Sequence, residues 1–201
     1  MGKILSITGY ADTGRHSLVR RLINEHPGAV LIKSVTTKEP SDSDIPGMYK
    51  YITEAQFTLL EWTGLFLWRV MYKGLRDHER RYGTLRETSE EIDKVLETPG
   101  AIGITMLKPE SVVRLREHLK CKGKEGEHIP LFLIAPPDHI HLQRMKSRSV
   151  SAKSMAHALH KAKEWEIAAR LAKEENKVPY HFVPNDGRIS VTAKAVNAFL
   201  V

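Results

Sequence analysis

The strongest constraint on this chain lies at its amino-terminal end. Residues 4–8 read as a buried strand and run directly into Gly9-Tyr10-Ala11-Asp12-Thr13-Gly14-Arg15-His16-Ser17. Residues 17–25 then place Leu18, Leu22 and Ile23 on one helical face. Against the pattern G-x-x-x-x-G-K-[ST] both glycines are in register. Arg15 stands at the lysine, His16 at the Ser/Thr, and Ser17 follows one place later. Such a loop turns backbone N–H groups toward a phosphate, and the helix N-terminus adds partial positive charge. Gly9, Asp12, Thr13, Gly14, Arg15, His16 and Ser17 are therefore candidate phosphate-binding residues. The other reading is a tight strand–helix turn with no ligand. Beside a phosphate, His16 is expected to favour its protonated form, with binding strengthening as pH falls.

The alternation continues along the chain. Strands are predicted at 29–35, 101–107, 131–135 and 179–183. Helices are predicted from capping boxes at Thr53/Gln56 and Thr88/Glu91, from Pro109 to about 119, and over 139–146, 152–175 and 190–200. Residues 120–128 read as a solvated loop. Strand–helix alternation of this kind implies a parallel sheet of about five strands covered on both faces.

Hydrophobic content of 41% and charged content of 27% exclude wholesale disorder. No apolar run approaches the ~20 residues that span a bilayer. The first residues lack a small-residue cleavage site, so no secretory signal is read. Met1-Gly2-Lys3-Ile4-Leu5-Ser6 fits a myristoylation pattern, but a strand beginning at Lys3 explains the same residues. Cys121 is the single cysteine, which excludes an intramolecular disulfide and suits a reducing cytoplasm. The net charge is +7, and residues 108–177 hold 15 Lys/Arg against 9 Asp/Glu. A basic surface attracts phosphorylated small molecules, anionic lipid or nucleic acid. No aromatic-plus-basic strand motif supports nucleic acid. His139/His141 and His157/His160 lack a set of acidic partners, so no metal site is assigned.

Further motifs follow in a fixed order: Ser34-Val35-Thr36-Thr37-Lys38-Glu39-Pro40, Gly47-Met48-Tyr49-Lys50-Tyr51, Tyr82-Gly83-Thr84, the apolar run ending Pro136-Pro137, Arg144-Met145-Lys146-Ser147-Arg148, and Val183-Pro184-Asn185-Asp186. With the glycine loop, this order resembles the guanylate kinase family over about residues 4–186. The resemblance implies a P-loop nucleoside monophosphate kinase fold in one domain, with core segments 1–33 and 85–201. A monophosphate-binding insert at about 34–84 and a helical lid at about 144–158 complete it. It implies ATP and Mg2+, and a nucleoside monophosphate as the second substrate.

Family roles carry over residue by residue. Ser34, Lys38, Tyr49, Tyr82 and Thr84 match the monophosphate-binding positions. Arg15, Arg144 and Arg148 match cations that act on the transferred phosphoryl group. Besides Arg15 and His16, the chain departs from the family at several places: Gly47 stands one place too close to Tyr49, and a lid arginine expected near 157–159 is absent. The family's second arginine after the proline is replaced by Ser41-Asp42-Ser43-Asp44, whose acids are expected to lie in solvent. The guanine-reading glutamate is absent from Phe66-Leu67-Trp68-Arg69. Ile104-Thr105-Met106 occupies the place of an acidic D-x-D pair. Arg76, Arg80 and Arg81 either supply lost cations or form an exposed loop. Two functions follow: a monophosphate kinase, or a binding module of the same fold that has lost catalysis and receives a protein partner.

Overall fold

The computed structural model describes residues 1–73, 79–148, 150–185 and 188–200, with backbone alone at 72, 73 and 79. In chain order the elements are β1 (Lys3–Thr8), α1 (Arg15–Glu25), β2 (Val30–Leu31), β3 (Ser34–Thr36), β4 (Tyr49–Tyr51) and α2 (Glu54–Trp62). They continue with β5 (Phe66–Lys73), β6 (Glu79–Leu85), α3 (Thr88–Glu97), β7 (Ile102–Met106), α4 (Pro109–Cys121) and β8 (His128–Ile134). Then come α5 (Asp138–Lys146), α6 (Ala152–Glu174), β9 (His181–Pro184) and α7 (Ile189–Leu200).

Among the described residues the main sheet has five strands in the order β2-β7-β1-β8-β9. Every neighbouring pair is parallel. β1 is central because its side chains feed two cores. Ile4 packs with Ile92 and Val95 of α3 and Val112 and Leu115 of α4. Leu5 and Ile7 pack on the other face with Leu18 and Leu22 of α1 and Val196 of α7. Alternation at period two thus buries both faces of one strand. The sheet's C-terminal ends all open on one side, where α1 begins.

A second sheet runs β4-β3-β6-β5. β3 lies parallel to β4 and antiparallel to β6, and β5 and β6 form an antiparallel pair. Phe57 of α2 stacks on Phe66 of β5 at 4.6 Å and closes the small core beneath this sheet with Val35 and Leu85.

Local expectations meet mixed outcomes. The Thr53/Gln56 capping box forms in both directions, at 3.2 and 2.9 Å. The Thr88/Glu91 box does not: Glu87 takes the cap position and Thr88 is buried as the first helical residue. The single strand expected at 29–35 is split between the two sheets. Ile32 donates to Ile104 on the main sheet, and Ser34 donates to Met48 in the second. The expected loop at 120–128 is partly regular, since α4 runs to Cys121 and a 3-10 turn occupies Glu125–Glu127. Gly2 is buried and donates to Leu96 at 3.0 Å, in line with a strand starting at Lys3. Among the described residues no helix is long and apolar enough to cross a membrane.

Candidate functional site

The glycine loop leaves β1, passes over the end of β8, and delivers the chain into α1. Gly14 caps α1 at φ 96°, a left-handed conformation. A Cβ there would lie 2.5 Å from the Asn185 side-chain nitrogen. At Gly9 the obstacle is backbone: an added Cβ would stand 2.9 Å from the Leu133 carbonyl oxygen. The first turn of α1 holds no acidic residue, so the helix N-terminus keeps its positive end.

The loop is tied down on every side. Thr13 Oγ1 donates to the Tyr10 carbonyl at 2.8 Å, and the Asn185 amide donates to the Thr13 carbonyl. His141 Nε2 lies 2.9 Å from the Ala11 carbonyl oxygen. Arg144 donates to the Asp12 carbonyl at 3.3 Å, and Arg148 pairs with the Asp12 carboxylate. Both arginines assigned to the transferred phosphoryl group therefore also hold the loop.

On the opposite wall β3, β4 and β6 present the second predicted set. The rings of Tyr49 and Tyr82 are 6.1 Å apart, and the Lys38 ammonium sits 5.2 Å above the Tyr49 ring. Ser34 and Thr84 are buried along the same cleft. Asp44 corrects the sequence reading. Asp42 is exposed, but Asp44 is buried and paired with Lys38. It also accepts from Tyr51 at 2.8 Å and from the Ser41 N–H at 3.0 Å. Burial alone pushes its carboxyl up, but the bonds from Lys38 and Tyr51 and the Lys38 charge outweigh that, leaving it below the usual carboxylate range. The acid is held inward because the ion pair and two hydrogen bonds offset its desolvation.

A cleft of about 1290 Å³ joins the two walls. Gly14, Arg15, His16, Ser17, Lys38, Tyr49, Tyr82, Arg144 and Arg148 all line it. Its volume exceeds the roughly 300–1,000 Å³ common for one small ligand. It has room for two.

Three departures take structural form here. Trp68, in the stretch where the resemblance expects a base-reading carboxylate, lies against the cleft opposite Thr84 in strand register. Thr105, inside the segment replacing the acidic pair, is buried. Burial and the neighbouring Arg15 cation push His16 down to about 4, so in the free protein its ring is neutral near pH 7. The expected rise is not a property of the protein without phosphate. Arg76 and Asp186 lie outside the described residues.

The sequence reading missed Asn185 as a brace of the loop, and it missed Lys108 and Trp165 altogether. The Lys108 ammonium sits 5.8 Å above the Trp165 ring, and both line the cleft. Asn185 was legible within the Val183-Pro184-Asn185-Asp186 motif. Lys108 and Trp165 carried no signal, because helix and strand periodicity does not mark which residues meet across a cleft.

No family model matches the chain. Curated relatives do. Guanylate kinase from Bordetella pertussis is 28% identical over 153 residues, covering 64% of this chain and 65% of that protein. Guanylate kinase from a Nostoc species is 26% identical over 165 residues, covering 81% and 75%. The chain thus spans slightly less than two thirds of the Bordetella protein's length. The crystal structure of guanylate kinase from Anaplasma phagocytophilum superposes with a TM-score of 0.62 at 18% identity, covering 99% of this chain and 84% of that one.

Proposed function

Because the chain is guanylate kinase-like in sequence and fold, we propose that it is a phosphotransferase moving the terminal phosphate of ATP to a (deoxy)nucleoside monophosphate, GMP among the candidates. The observation that carries this reading is the single cleft lined by the glycine loop on one wall and by Lys38, Tyr49 and Tyr82 on the other. An acceptor phosphate oxygen attacks the terminal phosphorus of ATP, the bond to the bridging oxygen breaks, and ADP leaves with the electron pair. Such a reaction depends on positioning and on neutralising oxygens rather than on covalent catalysis.

In this reading the backbone of 9–14 and Arg15 hold the donor phosphates. Lys38, Tyr49 and Tyr82 orient the acceptor, and Arg144 and Arg148 act on the phosphoryl group in flight. The loop fits ATP in that it lines the cleft and leads into the N-terminus of α1, whose first turn holds no acidic residue. Magnesium would enter as a companion of the ATP phosphates: of the carboxylates lining the cleft, Asp12 and Asp44 are paired with Arg148 and Lys38, and Glu39 is exposed. Bound with ATP it supplies charge neutralisation, with the Ser17 hydroxyl at hand in the first turn of α1. The site lies in a chain read as cytoplasmic.

One observation favours the binding-module reading: two of the cations needed for phosphate already face carboxylates of the chain. A coupled assay of ADP formation over a panel of nucleoside monophosphates decides between them. Turnover above ATP hydrolysis alone with at least one monophosphate is expected. ADP formation that no monophosphate accelerates removes the kinase and leaves the binding module.

A further inference from the structure

Resting on the phosphotransferase reading, we propose that Arg80 is the residue that grips the acceptor's phosphate, in place of the arginine the family carries where this chain has Ser41. The sequence Arg80-Arg81 enters β6 as a doublet, and strand alternation separates it. Arg81 turns away from the cleft. Its guanidinium pairs with Glu54 and Glu61, donates to Thr58 at 2.8 Å, and lies 4.3 Å over the Phe57 ring. Arg80 shares the other face of β6 with Tyr82 and Thr84, and all three line the cleft. Across the hairpin, Val70 and Trp68 pair with Tyr82 and Thr84 and line the same wall.

The charges on this wall make Arg80 the cation best suited to an incoming dianion. Lys38 is neutralised by Asp44, with side chains only 11% and 6% exposed. Arg20 donates to the Ser43 and Asp44 carbonyls at 3.0 and 3.1 Å. No described carboxylate pairs with Arg80, so a phosphate meeting it need not displace an acid from this part of the structure. A guanidinium also offers two parallel N–H groups to two phosphate oxygens, which an ammonium cannot do. Arg80 therefore restores from β6 what Ser41 removed from the loop after β3.

Calorimetric titration of wild type, Arg80→Gln, Arg80→Lys and Arg81→Gln tests this. The ligands are a monophosphate panel, the matching nucleosides, ADP, and inorganic phosphate added to ADP-saturated protein. Arg80→Gln is expected to weaken the bound monophosphate about tenfold or more, while nucleoside and ADP affinities stay unchanged. Arg80→Lys recovers part of the loss. Arg81→Gln lowers the melting temperature and leaves binding intact. Equal losses for monophosphate and nucleoside, or no loss, overturn the assignment. If no monophosphate binds wild type but phosphate binds through Arg80, the nucleotide reading falls and the anion site stands. Phosphate binding indifferent to Arg80→Gln, or absent from wild type at millimolar concentration, overturns the assignment itself.

Discussion

In the proposed reading the two walls of the cleft offer opposite solutions to binding an anion. The loop wall would work through backbone N–H groups and a helix end, and it is braced by Asn185, Thr13, His141 and Arg144. The β-sheet wall works through side-chain charge, and there Lys38 is already balanced by Asp44. Backbone donors cannot be cancelled by a neighbouring acid without losing the loop, whereas a lysine can be cancelled by one substitution. This explains how the loop retains its form with Arg15 and His16 in place of the pattern's residues. In the proposed function it would also make the β-sheet wall the place where identity and strength of acceptor binding are set.

The largest test of this contrast is Lys38→Ala. Removing the cation strands a buried carboxylate, a change that costs about 3–5 kcal/mol. Chemical denaturation should record that loss together with lost monophosphate affinity, while ADP binding persists in the folded fraction. Adding Asp44→Asn should return most of the stability without the affinity. If Lys38→Ala is as stable as wild type, the buried pair is not what holds this wall.

Gly14→Ala strikes the loop wall instead. The φ of 96° and the contact with Asn185 predict a loss of about 1–3 kcal/mol. The thermal shift with ATP and magnesium should vanish while monophosphate binding survives. Retention of the ATP shift would break the claim that backbone geometry holds the donor phosphates.

The contrast also governs what could be read from the sequence. Gly9, Gly14 and the run after β1 were legible because a turn with positive φ and a buried central strand each leave few residue choices. Lys38, Tyr49 and Tyr82 were legible through the order of motifs. The fate of Asp44 was not, because Ser41-Asp42-Ser43-Asp44 looks uniformly hydrophilic, and only the fold brings Lys38, Tyr51 and the Ser41 N–H to one carboxylate. Residues 29–35 failed for a related reason: Val30 and Val35 are both good strand residues, but they pair with different sheets. Local pattern gives the type of element, not its partner.

A smaller effect comes with pH from histidines that burial depresses in both regions, His16 in the cleft and His128 in the core. His128 is 4% exposed, hydrogen-bonded to Ser6 at 2.7 Å, and pushed down to about 3 by burial and Arg116. A histidine depressed in the folded state favours protonation of the unfolded chain. Stability is therefore complete above pH ~6.5 and declines as pH falls toward 3, by about 2 kcal/mol at pH 5. His128→Gln should reduce that slope in denaturation curves and leave the part contributed by His16, whereas Tyr82→Phe, which removes no histidine, should leave it unchanged. A slope unchanged by His128→Gln would move the effect elsewhere.

A further test is Arg148→Ala. The arginine is 59% exposed but the Asp12 side chain only 5%, so its removal leaves a buried carboxylate without its ion pair and is expected to cost more than breaking an exposed surface pair. Turnover should fall much more than stability. Parallel losses would make Arg148 a brace of the loop and nothing further.

The central claim, two anion sites on two walls of one cleft, is tested most directly by a crossed calorimetric titration of ADP and a monophosphate into wild type, Arg15→Ala and Lys38→Ala. Both ligands should bind wild type together, each at one equivalent. Arg15→Ala should weaken ADP and spare the monophosphate, and folded Lys38→Ala should do the reverse. Competition between the ligands for a single equivalent, or equal losses for both in either variant, would contradict the account.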